Sequence, residues 1–452
     1  MSKKTTTKER KQLKKEANSG KRVAKGKKAL LVLEGLVLLA LCAVVALVLW
    51  KEKNPGVKLL AKLFPNEEDA ISKQVALAEN QSWSAEDLIH FDEEGKAFLE
   101  GIEAPLSGPE LTDQDQVLIE RLPANARYYK KDTNRPDQVT ITFGGDICFD
   151  DTYTNMGFYR DRANGIFDCI DEGLLNIMQS ADILMLNNEF TYTNRGTPTP
   201  EKTFTFRSKP ENAFILFDLG VDIVSLANNH AYDYGEISML DTLEVLDLLQ
   251  MPYVGAGRNL TEAEDAVYFL ANDMIIGYLS ATQIERNEPP DTKAATETSA
   301  GVFRALNPKR LEERIAEAKQ HCDYLVVYIH WGTESVNQPD WLQMETAPKL
   351  AAAGADLVIG DHPHVLQGIT YSGTTPIFYS MGNYWFNSKT VYTGLTQVVL
   401  TRESVESVQF IPALQSGSTT RLLDGGEKAE VLQMMRSLSP KVQIDEDGFI
   451  SQ

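Results

Sequence analysis

Cysteine and histidine are both scarce in this chain, and only one apolar run is long. Four cysteines in 452 residues are too few for the disulfide framework of small secreted domains. Cys148 and Cys169 could form one bridge, although buried free thiols suit this composition better. No G-x-S-x-G motif, P-loop or Ser-His-Asp order is present. These absences argue against the common serine-hydrolase and P-loop chemistries.

Basic residues are concentrated at the start of the chain. Residues 1–28 carry twelve Lys and Arg against two Glu, a formal charge of +10. The whole chain is at −20, so the remainder carries −30. A short basic segment directly before an apolar run is typical of the cytoplasmic flank of a membrane helix rather than of a nucleic-acid-binding arm. We therefore expect no nucleic-acid partner.

The one long apolar run extends from Ala29 to Trp50 and contains a single charged residue, Glu34. A helix of this length spans a hydrocarbon core of roughly 30 Å. A cleaved signal peptide is the alternative, but the run is long and no A-x-A-like site follows it. The positive-inside rule places residues 1–28 in the cytoplasm and residues 51–452 outside. The sequence thus predicts a single-pass cell-membrane protein with an extracellular main domain.

The composition divides the rest of the chain into three segments. Residues 51–137 are polar and contain scattered prolines, which predicts a membrane-proximal stalk or small subdomain. In residues 138–412 apolar runs alternate with helical periodicity, which predicts a layered α/β domain. Residues 413–452 are polar, and we expect an irregular C-terminal tail. The predicted strands are Val139–Gly144, Asp182–Leu186, Asp222–Leu226, Met274–Leu279, Asp323–Ile329, Ala355–Ile359, Pro376–Ser380 and Thr396–Leu400.

Polar residues cluster where five of these strands end. Carboxyl ends of strands are the usual place for ligands in open α/β sheets. Taken singly, an Asp after a strand is usually a turn or helix cap, and a lone His is usually structural. Taken together, the carboxylate, amide and imidazole groups suit a site for divalent metal ions. The candidate ligands are Asp146, Glu189, Asn229, His330, His362 and His364.

Such a site has a clear chemical use. One or two cations such as Mn²⁺, Zn²⁺ or Fe, with a carboxylate between them, lower the pKa of water and stabilise a reacting oxyanion. A histidine that is not a ligand can protonate the leaving group. The residue types do not distinguish among these metals. The sequence therefore predicts a metal-dependent hydrolase-like site.

Six motifs occur in order along residues 138–412: GGDI, NNE, LANNHAYDYG, IHWGTE, AGADLVIGDHPHVLQG and YSMGNYWF. In this order they resemble the bacterial capsule-synthesis family CapA/PgsA, which is associated with poly-γ-glutamate capsules. The resemblance implies a membrane-anchored component of poly-γ-glutamate synthesis and export. Its expected partners are the membrane, other subunits of the synthesis complex, and the anionic polymer itself.

That family is similar in turn to calcineurin-like metallophosphoesterases, which implies a β-sandwich flanked by helices. By this resemblance Asp146 and His364 would bind a first metal, and Glu189 would bridge two metals. The motif histidine of the first metal site is replaced here by Cys148, which could bind a metal as a thiolate or be an apolar filler. The second metal would be bound by Asn229, His330 and His362, with His230 as the acid that Asp233 orients.

Two other functions are compatible with the same residues. The protein could be a metal-dependent hydrolase, phosphoesterase or amidase-like, of cell-envelope substrates. It could also be a non-catalytic scaffold that guides the polymer, because Cys148 weakens the first metal site. The acidity of the main domain counts against direct capture of a polyanion, since like charges repel.

Overall fold

The computed structural model describes residues 89–92, 95–99, 110–284 and 293–452. The predicted basic segment 1–28 and transmembrane segment 29–50 lie outside these ranges. Within them, no helix combines the length and the apolar character needed to cross a membrane.

The described residues form a mixed α/β structure, as the sequence predicts. Each of the eight predicted strands is present, with its ends shifted by a few residues. In chain order the strands are β1 (Ile89–Phe91), β2 (Ala97–Leu99), β3 (Arg127–Lys130), β4 (Val139–Ile147), β5 (Ile183–Asn188), β6 (Thr191–Tyr192), β7 (Arg207–Ser208), β8 (Ile223–Ser225), β9 (Tyr253–Val254), β10 (Ala256–Gly257), β11 (Val267–Ala271), β12 (Met274–Thr282), β13 (Gly301–Val302), β14 (Tyr324–His330), β15 (Leu357–Asp361), β16 (Ile369–Ser372), β17 (Thr375–Phe378), β18 (Asn383–Trp385), β19 (Val391–Leu400), β20 (Val405–Ser416), β21 (Thr419–Leu422), β22 (Gln443–Ile444) and β23 (Ile450–Ser451).

The helices lie mostly between strands, as expected for an α/β chain. Helix α8 shows why they form where they do, since Asp340 caps its first turn together with Gln343 and Gly354 ends it at a positive φ of 121°. In chain order the helices are α1 (Asp113–Ile119), α2 (Thr154–Arg160), α3 (Glu172–Gln179), α4 (Phe214–Leu219), α5 (Glu236–Leu248), α6 (Leu260–Glu264), α7 (Lys309–Ala318), α8 (Trp341–Ala353) and α9 (Gly425–Leu438).

Two large sheets organise the molecule. The eight-stranded sheet has the order β21-β20-β19-β4-β5-β8-β9, with β18 paired to β4. The seven-stranded sheet has the order β16-β17-β15-β14-β12-β11-β3. Strands β4, β5, β8 and β9 run parallel, and so do β12, β14, β15 and β17. In each sheet the carboxyl ends of the central strands therefore lie along one edge.

The sheets pack face to face, with helices on their outer faces. The core between them includes Ile141 and Met185 from one sheet and Val326 and Ile359 from the other. Leu243 of α5 packs in a second cluster on the outer face of the eight-stranded sheet. Leu311 and Ile315 of α7, one turn apart, pack in a third cluster with the seven-stranded sheet. Since each fully buried side chain of this kind contributes about 1.5–3 kcal/mol, these three layers hold the strand ends in place.

Residues 413–452 differ from the irregular tail that their polar composition predicts. They contain the end of β20, strand β21, helix α9 and the β22–β23 hairpin. Val431, Leu432 and Met435 of α9 are buried in the core between the sheets. Three apolar residues on one face of a helix are enough to anchor it, and the polar residues around them hide this pattern in the sequence.

The three cysteines in the described ranges, Cys148, Cys169 and Cys322, are all buried free thiols. This agrees with the preferred interpretation of the sequence, and the possible Cys148–Cys169 bridge is absent. Burial raises the pKa of Cys169 and of Cys322 to about 12. A thiol in this state reacts poorly, because the thiolate is the nucleophile.

Thiol reactivity in the native protein should reflect this burial. We expect Cys148, Cys169 and Cys322 to resist iodoacetamide in buffer and to react after denaturation without reductant. Peptide mass spectrometry after alkylation measures each position separately. A native Cys148–Cys169 disulfide would contradict the structure, since it would block both residues until reductant is added.

Gly145 in β4 marks the closest approach between a central strand and the turn before β18. A Cβ atom at this position would lie 1.7 Å from the carbonyl oxygen of Gly382. The same carbonyl accepts a hydrogen bond of 3.0 Å from the amide of Asp146. Glycine is therefore required for Asp146 to be held at this point of the strand.

We expect Gly145→Ala to destabilise the protein by about 1–3 kcal/mol, because the added methyl forces the turn away from β4. Thermal unfolding followed by circular dichroism measures the effect as a lower Tm. Gly157→Ala in α2 is a matched control, since a methyl group added there would meet nothing within 4 Å. Equal Tm values for both variants would contradict the close approach at Gly145.

Candidate functional site

The eight residues that the sequence singles out lie together at the carboxyl ends of strands from both sheets. Asp146 and His330 are at the ends of β4 and β14, and His362 and His364 follow β15. Glu189 comes directly after β5. The remaining three, Asn229, His230 and Asp233, lie in the segment between β8 and α5. Hydrogen bonds and close polar contacts join all eight into one cluster.

His330 is the centre of this cluster. Its Nε2 atom lies 2.8 Å from Asn229 Oδ1 and 3.1 Å from His362 Nδ1. The same atom lies 3.6 Å from Glu189 Oε1. On the other side of the ring, Nδ1 lies 3.3 Å from the amide nitrogen of Asn187. His330 thus connects the seven-stranded sheet, which carries it, with groups that follow strands of the eight-stranded sheet.

Glu189 is fully buried, and neither of its carboxylate oxygens has a hydrogen-bond partner among the described residues. The Nε2 atoms of His330 and His230 lie 3.6 Å and 3.9 Å from Glu189 Oε1, beyond hydrogen-bonding distance. A buried carboxylate without hydrogen bonds is costly, and proteins usually satisfy such groups or bind a cation with them. The position suits a ligand that the polypeptide itself does not supply.

Two groups of side chains have the spacing needed to hold a metal ion, and Glu189 belongs to both. One group is Glu189 with His330 and His362, and the other is Glu189 with Asp146 and His364. Within each group the potential ligand atoms lie within 4.8 Å of one another. This division coincides with the two metal sites that the family resemblance implies. Their role as ligands stays a prediction.

The charges around Glu189 are unusual for a protein interior. Burial, together with the carboxyl groups of Asp146 and Asp361, raises the pKa of Glu189 well above its ordinary value. Burial and Asp146 raise the pKa of Asp361 in the same way. Three buried carboxyl groups disfavour one another's ionisation, and a divalent cation would offset that repulsion.

The histidines respond to the same environment in opposite directions. Burial and the neighbouring His362 lower the pKa of His330 well below its ordinary value, which favours the neutral imidazole that binds metals. Burial acts to lower the pKa of His364, but Asp146, at 3.3 Å, and Asn383 together act against it, and the pKa is raised. His364 Nδ1 also lies 2.7 Å from Asn383 Oδ1.

His362 and His364 have left-handed backbone conformations, with φ angles of 101° and 58°. Such conformations cost about 1–3 kcal/mol each in residues other than glycine. The surrounding structure holds them, since the carbonyl of the intervening Pro363 accepts a hydrogen bond from the amide of Ser335 at 2.8 Å. The strained loop places one imidazole in each of the two ligand groups, which share Glu189.

His230 lies at the side of the cluster with a different set of partners. Its Nδ1 atom is 2.6 Å from Asp233 Oδ2, and Phe206 packs against its ring with 4.2 Å between centroids. Burial lowers the pKa of His230, although Asp233 acts in the opposite direction. The ring is therefore oriented by Asp233 with Nε2 directed toward Glu189.

Cys148 does not take the place of a ligand in either group. It is fully buried in the apolar cluster on the outer face of the eight-stranded sheet. Burial raises the pKa of its thiol well above the ordinary value, so the thiolate that binds metals is disfavoured. Of the two possibilities left open by the sequence, the structure favours an apolar filler.

The sequence predicted no role for four other polar residues that complete the site. Asp361 accepts a hydrogen bond from the Tyr328 hydroxyl and another, of 3.2 Å, from the amide of Met381. Asp361 lies next to His362 in the motif AGADLVIGDHPHVLQG, and Asn383 lies in the motif YSMGNYWF. The motifs could therefore have indicated a role for both residues. Asn187 and Lys202 contact the site residues directly, as partners of Asp146 and Asp233. Lys202 lies in a polar loop, where no sequence pattern distinguishes it.

Comparison with known proteins gives the wider context of this site. The family model described as "Bacterial capsule synthesis protein PGA_cap" matches residues 140–388. The protein named "PGA biosynthesis protein CapA" from Bacillus subtilis is 33% identical over 261 residues, which is 57% of this chain and 66% of that protein. "Capsule biosynthesis protein CapA" from Bacillus anthracis is 30% identical over 243 residues, covering 52% of this chain and 58% of that protein.

A more distant relative is a "probable polyglutamine synthesis accessory protein" of Mycobacterium tuberculosis. It is 27% identical over 285 residues, covering 55% of this chain and 74% of that protein. The chain spans less than two thirds of the length of the two Bacillus relatives. The family model, in contrast, matches more than half of this chain and includes every residue of the site. The protein therefore belongs to the bacterial capsule synthesis family PGA_cap, which confirms the CapA resemblance of its motifs.

Proposed function

We propose that this protein acts in the synthesis of poly-γ-glutamate, or a related anionic polymer, through a hydrolase-like site that binds one or two divalent metal ions. Its family and the names of its relatives support the link to the polymer. One structural observation supports the site: Glu189 is buried without a hydrogen-bond partner in the described ranges and is shared by two ligand groups.

The donor chemistry fits divalent cations. Each ligand group combines carboxylate oxygen with imidazole nitrogen, which suits Zn²⁺, Mn²⁺ or Fe. Asn229 adds an amide oxygen 2.8 Å from His330 Nε2. A bound cation would act as a Lewis acid that stabilises negative charge developing on the substrate.

The residues of the chain itself would handle the proton. Asp233 accepts the hydrogen bond from His230 Nδ1 at 2.6 Å, which leaves Nε2 to face the site. In this arrangement His230 can accept a proton at Nε2 and deliver it to a leaving group. Phe206 covers the ring and keeps water from that side. His230 is thus the proposed acid, and Asp233 orients it.

The order of these donors along the chain supports a likeness to metallophosphoesterases, which we extend to the layered fold as part of the proposal. The bond that is cleaved would be an ester or an amide in the polymer or its precursors. The predicted anchor at residues 29–50 would keep this domain at the outer face of the cell membrane, where it meets the other subunits of the synthesis complex.

The alternative function is a non-catalytic scaffold that guides the polymer. The specific observation in its favour is Cys148, a buried apolar filler where metallophosphoesterases carry a motif histidine. With one donor fewer, the group of Asp146, Glu189 and His364 would bind its cation more weakly than the other group. Metal binding and hydrolysis distinguish the two functions.

We expect purified full-length protein to bind Mn²⁺ or Zn²⁺, and Glu189→Gln to weaken that binding strongly. The loss should exceed the roughly 10- to 100-fold that follows loss of a supporting contact, because Glu189 belongs to both ligand groups. Isothermal titration calorimetry and elemental analysis measure affinity and content. Glu345→Gln, at an exposed glutamate on α8, is the control. Wild-type affinity in Glu189→Gln would exclude the proposed metal site.

Substitution of His230 separates catalysis from metal binding. We expect His230→Ala to keep its metal and to lose roughly 10²- to 10⁴-fold in hydrolysis of a chromogenic phosphodiester or γ-glutamyl amide. Cells carrying only this variant should lose surface polymer, measured with an antibody or by glutamate release. His321→Ala, at a histidine outside the site, is the matched control. Normal polymer in the His230→Ala strain would favour the scaffold.

A further inference from the structure

One loop segment, residues 199–206, crosses the side of the site that carries His230, and we call it the strap. Its first residue, Thr199, donates a backbone hydrogen bond of 2.8 Å to the carbonyl of Asp233. Its last residue, Phe206, donates a backbone hydrogen bond of 2.6 Å to Asp233 Oδ2. Both ends of the strap are therefore attached to the residue that orients His230.

Lys202, in the middle of the strap, points inward. Its side chain is 7% exposed, and its ammonium group lies 2.6 Å from Asp233 Oδ1. It also donates to the carbonyl of Asn229, a candidate metal ligand. A lysine is rarely buried unless it is paired, so the buried position of Lys202 depends on these two contacts.

The three donors divide the Asp233 carboxylate between them. Lys202 occupies Oδ1, while His230 and the amide of Phe206 share Oδ2. Asp233 itself is completely buried. Because three donors hold the two oxygens, the orientation of the carboxylate is restricted, and so is that of the imidazole bonded to it.

We propose that Lys202 is a positioning residue that fixes the His230 ring by holding Asp233 and the strap. The effect of Lys202 on catalysis rests on the proposed function of His230. The contacts that link Lys202 to His230 do not depend on that function. Lys202 contacts the carboxylate of Asp233 and the backbone carbonyl of Asn229. It acts on His230 through Asp233 and the strap.

The ammonium group of Lys202 compensates the buried charge of Asp233. Without the ammonium group, Asp233 Oδ1 would be a buried carboxylate oxygen with no cationic partner, which is strongly unfavourable. The carboxylate would then rotate or admit water, and His230 would follow it. The strap would also lose its central attachment, which releases Phe206 from the ring it covers. A displacement of about 1 Å at a catalytic group costs on the order of 100-fold in rate.

The test uses full-length protein with ¹⁵N-labelled histidine, which is practical because the chain has only six histidines. The His230 imidazole signals are assigned from their loss in His230→Ala. Lys202→Met removes the charge and keeps the length of the side chain, and Lys202→Arg keeps a cation. Lys209→Met is the matched control, an exposed lysine just beyond the strap.

We expect Lys202→Met to shift or broaden the His230 signals while bound metal stays at the wild-type level. We expect the turnover number on the chromogenic substrate to fall on the order of 100-fold, with KM nearly constant. Lys202→Arg should return the His230 signals toward wild type, and Lys209→Met should leave them unchanged. If Lys202→Met does not fold, Lys202→Gln is measured by the same criteria.

Unchanged His230 signals in Lys202→Met, or equal changes in Lys209→Met, would overturn the proposal. Absence of hydrolysis in the wild-type protein would instead contradict the catalytic function of the site. In that case the imidazole signals still decide whether Lys202 positions His230. The two failures are therefore distinguishable.

Discussion

The structure of this site depends on three carboxyl groups, Asp146, Glu189 and Asp361, that are fully buried and act on one another. Their mutual repulsion and burial raise the pKa of Glu189 and of Asp361. Such a cluster is tolerated only when protons or cations neutralise it. Two groups of side chains that share Glu189 have the spacing to hold a cation there.

The layered fold makes this confinement possible. Each sheet supplies residues at the carboxyl ends of its parallel strands, and the core between the sheets holds those ends in register. Tyr328 connects the two sheets next to the site, since its hydroxyl donates to Asp361 and its oxygen lies 3.0 Å from the carbonyl oxygen of Gly144. The close approach of Gly145 to Gly382 fixes the end of β4 against the turn before β18. The polar cluster is costly, and the three apolar layers around it offset that cost.

The part of the site that carries His230 differs from the part around His330. His330 lies 3.1 Å from His362 and 3.6 Å from Glu189, whereas His230 is held through Asp233, which a separate loop contacts. This separation fits the proposed function, in which the groups around Glu189 would bind a cation and His230 would move a proton. The chain belongs to the bacterial capsule synthesis family. Under the proposed function, its acidic main domain would meet an anionic polymer through bound cations rather than through its own charge.

The sequence by itself determined the eight principal strands and the α/β class, because strand periodicity is a local property of the chain. Its motifs also predicted the eight candidate site residues, which the fold brings together. It did not reveal the buried helix α9 or the roles of Asp361, Asn383 and Lys202, since each depends on packing between segments distant in sequence. The sequence also left the environment of Cys148 undecided, because a thiol after a strand can face a metal or an apolar core. Only the tertiary structure decided these points, because burial and charge compensation are set by the neighbours that folding brings together.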